Sequence, residues 1–492
     1  MLTQQTHKRL YHWHSVGAYW ISVLLIMLSV TAVPVVFKDE LQRYVFSTAL
    51  SQPVEKHFSQ DELAALTVSQ LGIADGEFFV DPATENSAAR IWWFDEKTYK
   101  YFGYIQNNNG DLEPIPQIEA VTVIALAHYE FLIPDPYGEY LVGFIGLFTM
   151  ILGVVGVLLH VKWRKEKKQF RKGRSFRVWS SDLHKLLGFW LLPYYLLVSY
   201  TGTILGLGGL LLIMSAISSF EGDQEAAVAA VLGEEPAYSA TPCDMLPIDE
   251  LLEKSKRHWQ QRYGENELLS YDIHYYHDCH AELGINTRLP GYLLLANRLS
   301  YSLVDGALIK EIDWLSASVG DRWYALLGPL HYGHFAGYLG RWLYAISAIA
   351  LVVLIISGLL LWVDKQQTTP MANKWDYFYV HPLLRICTAV IIAITATSYI
   401  MLLWAKVYPG LLSNYSPYIL YLASFFILSM WVYFLPKYLK YYCICLAILS
   451  LLLIGADFFA AGFLFSGVNL SLMIFTVLFI LVALKINQFD CQ

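Results

Sequence analysis

The chain has 492 residues, of which 56% are hydrophobic, 15% aromatic and only 15% charged, with a net charge of -7. Apolar residues fall in long blocks, which excludes an ordinary soluble enzyme, and the acidic balance gives no footprint for nucleic acid. A polytopic, mainly α membrane protein is what remains.

The first apolar block, 15–37, follows His7, Lys8 and Arg9 as a secretory signal would. Its apolar run exceeds a signal core and ends in "PVVFKDEL" without a small-residue cleavage pattern, so we read it as a retained anchor. Further blocks at 139–160, 186–214, 338–363, 382–404, 418–435, 441–464 and 467–484 bring the expected helices to about eight. The implied organisation is a first helix within 1–37, an extramembrane module at 38–138 and a second helix at 139–160. A basic loop at 161–183, a third helix at 184–215, a second module at 216–337, a fourth helix at 338–363 and a four-helix region at 364–492 complete it.

Between the second and third blocks lie Lys162, Arg164, Lys165, Lys167, Lys168, Arg171, Lys172, Arg174 and Arg177, against Glu166 and Asp182. The positive-inside rule places this short loop in the cytoplasm. Segment 38–138 carries 16 acidic and 6 basic residues, and 216–336 carries 18 and 8, so both are expected outside. With eight spans, both termini return to the cytoplasm and the two modules are extracytoplasmic.

The modules alternate short apolar runs with turn signals and are expected to be small α+β units. "GYLLLANRLSYSLVDGALIKEIDW" (291–314) reads as strand, Asp-Gly turn, strand, and "ARIWWFDEKTYKYFGYIQNNNGDLEPI" (89–115) reads similarly. Helices are expected at 59–72, with Ser59 as N-cap and Glu62 completing a capping box, and at 247–264. Cys243 and Cys279 both fall in the second module and could form a disulfide, whereas Cys387, Cys443 and Cys445 are expected to be unpaired apolar cysteines.

The membrane blocks repeat. In "YHWHSVGAYWISVLLIMLSVTAVPVVF" (11–37) and "SSDLHKLLGFWLLPYYLLVSYTGTIL" (180–205) a histidine precedes a threonine by seventeen positions: His14 to Thr31, and His184 to Thr201. "EYLVGFIGLFTMILGVVGVLLH" (139–160) aligns without gaps to "RWLYAISAIALVVLIISGLLLW" (341–362), placing Gly156 on Gly358. Upstream of each stands a further histidine, His128 and His331. The last four helices have no partner in the repeat.

Ionisable residues at membrane depth are costly and are functional candidates by default. A single boundary histidine would serve equally as an interfacial anchor, but in two units packed about an axis along the membrane normal, equivalent residues approach each other. His14 would then face His184, and His128 would face His331. Two facing imidazoles across a helix bundle suit a six-coordinate haem iron, whose macrocycle already supplies four nitrogens. Zinc wants four close protein ligands, and no CxxC or HExxH stands nearby. Two such sites would divide a hydrocarbon core of roughly 30 Å into steps an electron can cross.

"HSVGAYWISVLLIMLSVTAVPVVFKDEL", "VGVLLHVKWRKEKKQFRKGRSFRVWSSDLHKLLGFWLLPYYLLVSYTG" and "LHYGHFAGYLGRWLYAISAIALVVLIISGLLLW" resemble the PepSY-associated transmembrane helix family of bacterial iron-regulated inner-membrane proteins. The resemblance covers most of 1–410, and within the family it is to the ferric-siderophore reductases. It implies a reductase bearing haem b, with two haems expected, that passes electrons to iron(III) held by a siderophore and releases iron(II). By motif position His14, His160, His184, His331 and His334 match family histidines, as does His128. Some members have a further histidine where this chain has Tyr195, so ligand sets that need it do not carry over.

His160 lies at the depth of His14 and His184 and could replace one of them, and His381 opens the fifth helix as a further candidate. Arg341 and Lys185 are possible partners for anionic propionates, or simply helix-end cations. "YDIHYYHDCHAEL" (271–283), if a strand, would put His274, Asp278 and His280 on one face, with His277 close by, as a metal site or as a solvated polar strand. Trp92, Trp93, Phe94, Tyr99, Tyr101, Phe102 and Tyr104 could form a platform for an organic chelate or the module's core. Asp457, inside the seventh helix, invites a proton or ion role, or hydration near the outer face. No flavin or nicotinamide motif is present, so electrons are expected from a separate donor, quinol or a cytoplasmic reductase. Membrane lipid is the surrounding partner. The alternatives are a non-enzymatic PepSY protein that binds or regulates a periplasmic partner, and a permease for iron or siderophore.

Overall fold

The structure is a computed structural model. It describes residues 3–45, 58–73, 76–83, 89–95, 100–106, 111–114, 118–160, 171, 175–232, 236–289, 296–366, 376–408, 417–461 and 467–489. Most of the basic loop, 161–170 and 172–174, therefore lies outside the described residues.

The chain begins with α1 (Gln4–Val35) and a short α2 (Lys38–Val45), followed by α3 (Gln60–Leu71). Strands β1 (Glu77–Asp81), β2 (Arg90–Asp95), β3 (Lys100–Gln106) and β4 (Leu112–Pro114) lead to α4 (Ile118–Tyr129) and α5 (Tyr137–Leu159). The second unit runs through α6 (Phe176–Trp190), α7 (Leu192–Gly206), α8 (Gly208–Ser219), α9 (Gln224–Leu232) and α10 (Ile248–Tyr263). It continues with β5 (Glu267–His274), β6 (Glu282–Arg288), β7 (Ala296–Ser302), β8 (Leu308–Ile312), α11 (Val319–Tyr332) and α12 (Gly337–Gln366). The remainder is α13 (Asp376–Val380), α14 (Pro382–Val407), α15 (Pro417–Phe434), α16 (Leu439–Ala461) and α17 (Gly467–Phe489).

Among the described residues seven helices are long and apolar enough to cross a membrane, and the bent pair α7–α8 brings the number to eight if it is one span. The protein is a multi-pass membrane protein. The third apolar block is not one rod: the chain turns by 57° between α7 and α8, around Leu207. Glycines set the crossing of α5 with α7, because a Cβ on Gly143 would lie 2.7 Å from Leu207 and one on Gly153 would lie 2.4 Å from the Tyr195 ring. Tyr195 is thus a packing residue here, its hydroxyl donating to the Gly188 carbonyl at 3.1 Å.

Packing follows the duplication. α1 lies against α4, α5 and α12, as α6–α7 lie against α11, α12 and α5. The appended helices cover one side only: α4 and α2 are buried against α14, α15, α16 and α17, through Tyr44, Val121, Ile124, Met401, Tyr421, Leu453 and Leu472.

The two extramembrane modules are not separate bodies. Their strands join in one eight-stranded antiparallel sheet of order β4-β3-β2-β1-β5-β6-β7-β8, closed at the middle by β1 against β5. Each half follows the sequence: Asp305 and Gly306 turn β7 into β8, with Gly306 at φ +68, and Ser59 with Glu62 forms the capping box of α3. α3 and α10 cover one face over Phe78, Ile91, Tyr271, Ile273, Leu283 and Leu299. The helices cap each other across the join. Asp61 accepts from the backbone amides of Ile248 and Asp249, and Asp249 accepts from that of Gln60. The Cys243–Cys279 disulfide forms, with a Cα separation of 4.9 Å, while Cys387, Cys443 and Cys445 are free.

Candidate functional site

The duplicated helices bring four histidines together in two pairs. The rings of His14 and His184 have centroids 6.4 Å apart near the basic-loop end of the bundle. His128 and His331 are also 6.4 Å apart, at the sheet end. His14 and Thr31 share α1, and seventeen residues at 1.5 Å rise put the two levels about 25 Å apart along the helix.

Each ring is oriented by the repeat. The Nδ1 of His128 lies 3.0 Å from the Leu28 carbonyl and 3.1 Å from Thr31 Oγ1, and that of His331 lies 2.9 Å from Thr201 Oγ1. His184 Nδ1 lies 3.0 Å from the Leu354 carbonyl, with Ser357 Oγ at 3.4 Å. For His14 the equivalent carbonyl is that of Leu152; its Nδ1 is buried close by, without a hydrogen bond of good geometry. Nδ1 is therefore turned to the helices, and Nε2 is the nitrogen left for a ligand. Glycine makes the room. A Cβ on Gly156, Gly358 or Gly202 would stand 3.3, 2.9 and 2.9 Å from the Cε1 of His14, His184 and His331 respectively.

The repeated threonines were visible in the sequence; their task was not. Each unit carries, on α1 or on the consecutive α6 and α7, a histidine for one level and the threonine that orients a histidine of the other. Between His128 and His331 opens a mostly apolar cavity of about 350 Å³, also lined by Tyr129, Tyr332, Glu139 and Tyr344. The two tyrosines follow the two histidines in sequence and pack edge to face at 6.5 Å.

The model of the PepSY-associated TM region matches residues 11–365. The chain belongs to this family. An uncharacterized protein of Pseudomonas aeruginosa is 28% identical over 249 residues, which are 48% of this chain and 61% of that protein. The chain thus spans about 61% of the length of this curated relative.

In this PepSY-associated protein the other sequence candidates sit at helix ends and in a turn. His160 caps the C-terminus of α5, with its backbone amide bonded to the Val157 carbonyl. His381 precedes α14, its ring edge-on to Trp362 at 6.0 Å. His334 is exposed in a 3-10 turn after α11 and stacks on Tyr332 at 5.7 Å. Arg341, a possible partner for an anionic propionate or a helix-end cation, is paired with Glu40 at 2.8 Å.

The expected strand through 271–283 is corrected. β5 ends at His274, and the following turn, tied by the disulfide and holding Tyr275 and His277 at positive φ, sends His277 and His280 away from it. Asp278 accepts from Ser239 and from the amide of His280, whose ring bonds the Ala237 carbonyl. What gathers around His274 comes from other strands. Glu77 on β1 lies 3.0 Å from His274 Nε2, Asp272 lies at 3.5 Å, and Arg298 on β7 reaches over Gly284 to grip Asp272 with both terminal nitrogens.

The three ligand atoms of Glu77, Asp272 and His274 are close enough for a metal, but two cations already answer the two carboxylates. Burial lowers the pKa of His274, and hydrogen bonds and charge from Asp272 and Glu77 reverse this and push it up to about 9. Its charge therefore holds the β1–β5 join below pH 6.5, and the contribution is lost as the pH rises through about 9. In the full chain, exchange at 77–81 and 267–274, corrected for intrinsic rates, is expected to open by about 2–3 kcal/mol between these limits. His274→Gln should flatten that dependence; an unchanged slope would remove the imidazolium from the join.

Of the aromatic run, Trp93 stacks on Tyr104 at 6.3 Å beside the core, while Trp92 lies over Gly103 and donates to Asp81 at 3.1 Å. Tyr99 and the side chains of Phe94, Tyr101 and Phe102 lie outside the described residues.

Proposed function

We propose that this protein is a haem-b-bearing membrane reductase that moves electrons across a bacterial inner membrane to a periplasmic ferric siderophore, releasing iron(II). The observation that carries the reading is the pair of histidine pairs. Metal–imidazole bonds of about 2.0–2.1 Å on each side of one ion, together with the ring halves, account for centroids 6.4 Å apart. No carboxylate or thiolate among the described residues joins either pair in a three-ligand cluster, as a zinc site would require.

His14 with His184 would hold one haem and His128 with His331 the other. Bound there, the groups supply reversible one-electron chemistry at two depths. The chain's own part is to fix the four rings. Thr31 and Leu28 accept the Nδ1 proton of His128, Thr201 that of His331 and Leu354 that of His184, so the Nε2 of these three keeps its lone pair for a ligand. Gly156, Gly202 and Gly358 allow the imidazoles to approach the neighbouring helices closely, and the cavity beside His128 and His331 is mostly apolar. Iron(II) binds hard oxygen donors more weakly than iron(III), so reduction alone loosens the chelate.

Purified from haem-replete cells, the protein should be red, with sharp Soret and α bands after dithionite, and mixing the reduced protein with a ferric siderophore should restore the oxidised spectrum. A colourless preparation would overturn the reading. Reduced bands indifferent to every ferric chelate would leave haem in place and overturn the acceptor.

A further inference from the structure

We infer that His334, stacked on Tyr332, is where an electron leaves the membrane domain, and that the ferric chelate docks against this imidazole. The inference rests on the reductase reading above and adds the acceptor's contact residue.

Five rings form one chain at the sheet end of the bundle. His128 and His331 are 6.4 Å apart, and each lies next to its own tyrosine, at 6.0 Å for Tyr129 and 5.6 Å for Tyr332. The tyrosines meet at 6.5 Å, and Tyr332 stacks on His334 at 5.7 Å with planes 28° apart. The first four rings line the cavity, and the fifth is exposed. His334 does not face the paired histidines as a third ligand; it continues their ring path outward.

The local backbone is built for this placement. Gly333 takes φ +73, turning the chain back after α11, and a Cβ there would press on the Tyr344 ring at 3.0 Å. Tyr344 in turn donates to the Leu330 carbonyl at 2.6 Å, which closes the turn. The surroundings are polar enough for an aqueous edge. Asp39, Glu40 and Arg341 lie within electrostatic reach of His334, and Tyr338, 58% exposed, packs under the Arg341 guanidinium at 4.6 Å.

Asymmetry within the duplication supports a one-sided exit. Where the second unit reads His331-Tyr332-Gly333-His334, the first reads His128-Tyr129-Glu130-Phe131. Glu130 is buried and accepts from Tyr418 of α15 at 2.9 Å, so the appended helices close the first unit's edge. At the second unit's edge His334 is exposed among the described residues. One electron passes per ferric ion: iron(III) in the chelate becomes iron(II), the paired-histidine centre is oxidised by one electron, and no covalent bond is made.

The test uses the full-length haem-loaded protein, reduced with dithionite and mixed with iron(III) nitrilotriacetate in a stopped-flow cell. His334→Ala and Tyr332→Leu should each slow reoxidation about tenfold or more while the Soret and α bands keep their positions; Tyr332→Phe, which keeps the ring, should stay near the parent rate. A second readout needs no turnover: gallium(III) nitrilotriacetate, which is not reduced, should protect 333–340 from hydrogen exchange in the parent and not in His334→Ala. Parent-like reoxidation in both variants, or protection that ignores His334, overturns the inference and leaves the reductase reading intact. A preparation without haem bands overturns both.

Discussion

Replacing His184 by Ala should halve the haem content of the purified protein, leaving the spectrum of the His128–His331 site, whereas His160→Ala should leave both sites filled. The sequence alone left His184 with two possible mates, because His14 is its repeat equivalent and His160 lies at the same depth. The pairing with His14 is favoured by two observations: the His14 and His184 rings are 6.4 Å apart, and the glycine that receives the His184 ring, Gly358, is the repeat equivalent of the Gly156 that receives His14. Loss of one axial imidazole leaves a five-coordinate centre, so any haem retained at this level should turn high-spin. Pyridine haemochrome content and low-temperature EPR read both effects. Two full low-spin signals in His184→Ala, or loss of one in His160→Ala, would reassign the pair.

The parts of this molecule that were legible in the sequence are those with local or repeated signals. The capping box at Ser59 and Glu62, the Asp305-Gly306 turn and the apolar blocks each depend on residues a few positions apart. The four paired histidines emerged because duplication prints a spacing twice, and a packed pseudo-twofold turns repeated positions into neighbours. What stayed hidden depends on meetings between distant residues that no pattern repeats. β1 pairs with β5 across two membrane helices, so the modules looked independent, although Glu77, Asp272, His274 and Arg298 are placed to hold that join. Arg341 and Glu40 are 301 positions apart, and nothing near Arg341 announces its partner. Tyr129 and Tyr332 passed unnoticed among 34 tyrosines until the cavity between the histidines showed which two line it. Nor did the seventeen-residue spacing reveal that Thr31 serves His128 and Thr201 serves His331, since each threonine acts at the opposite level from the histidine seventeen positions before it.

Asp457 gives the second large effect, through the contacts it holds between helices. Its carboxylate is 2% exposed and is bonded by Lys406 Nζ and, at 2.6 Å, by Asn469. Lys406 also donates to the Tyr44 carbonyl at 2.6 Å and lies over the Tyr44 ring, and the Tyr44 hydroxyl donates to Leu453. Four helices, α2, α14, α16 and α17, are joined through these groups at the sheet end of the appended bundle. Taking away one member of a buried, hydrogen-bonded ion pair leaves the other charged in a low dielectric, at a cost of about 3–5 kcal/mol, whereas replacing both by apolar residues of similar volume is often close to neutral. Lys406→Met should therefore lower the thermal midpoint in detergent sharply, and Lys406→Met with Asp457→Leu should recover most of the loss. Because α2 and α4 share one core with these helices, the single variant should also bind less haem at the His128–His331 level than at the His14–His184 level. A single variant as stable as its parent would show that the pair is solvated in the membrane, and a double variant no better than the single would assign the cost to lost hydrogen bonds.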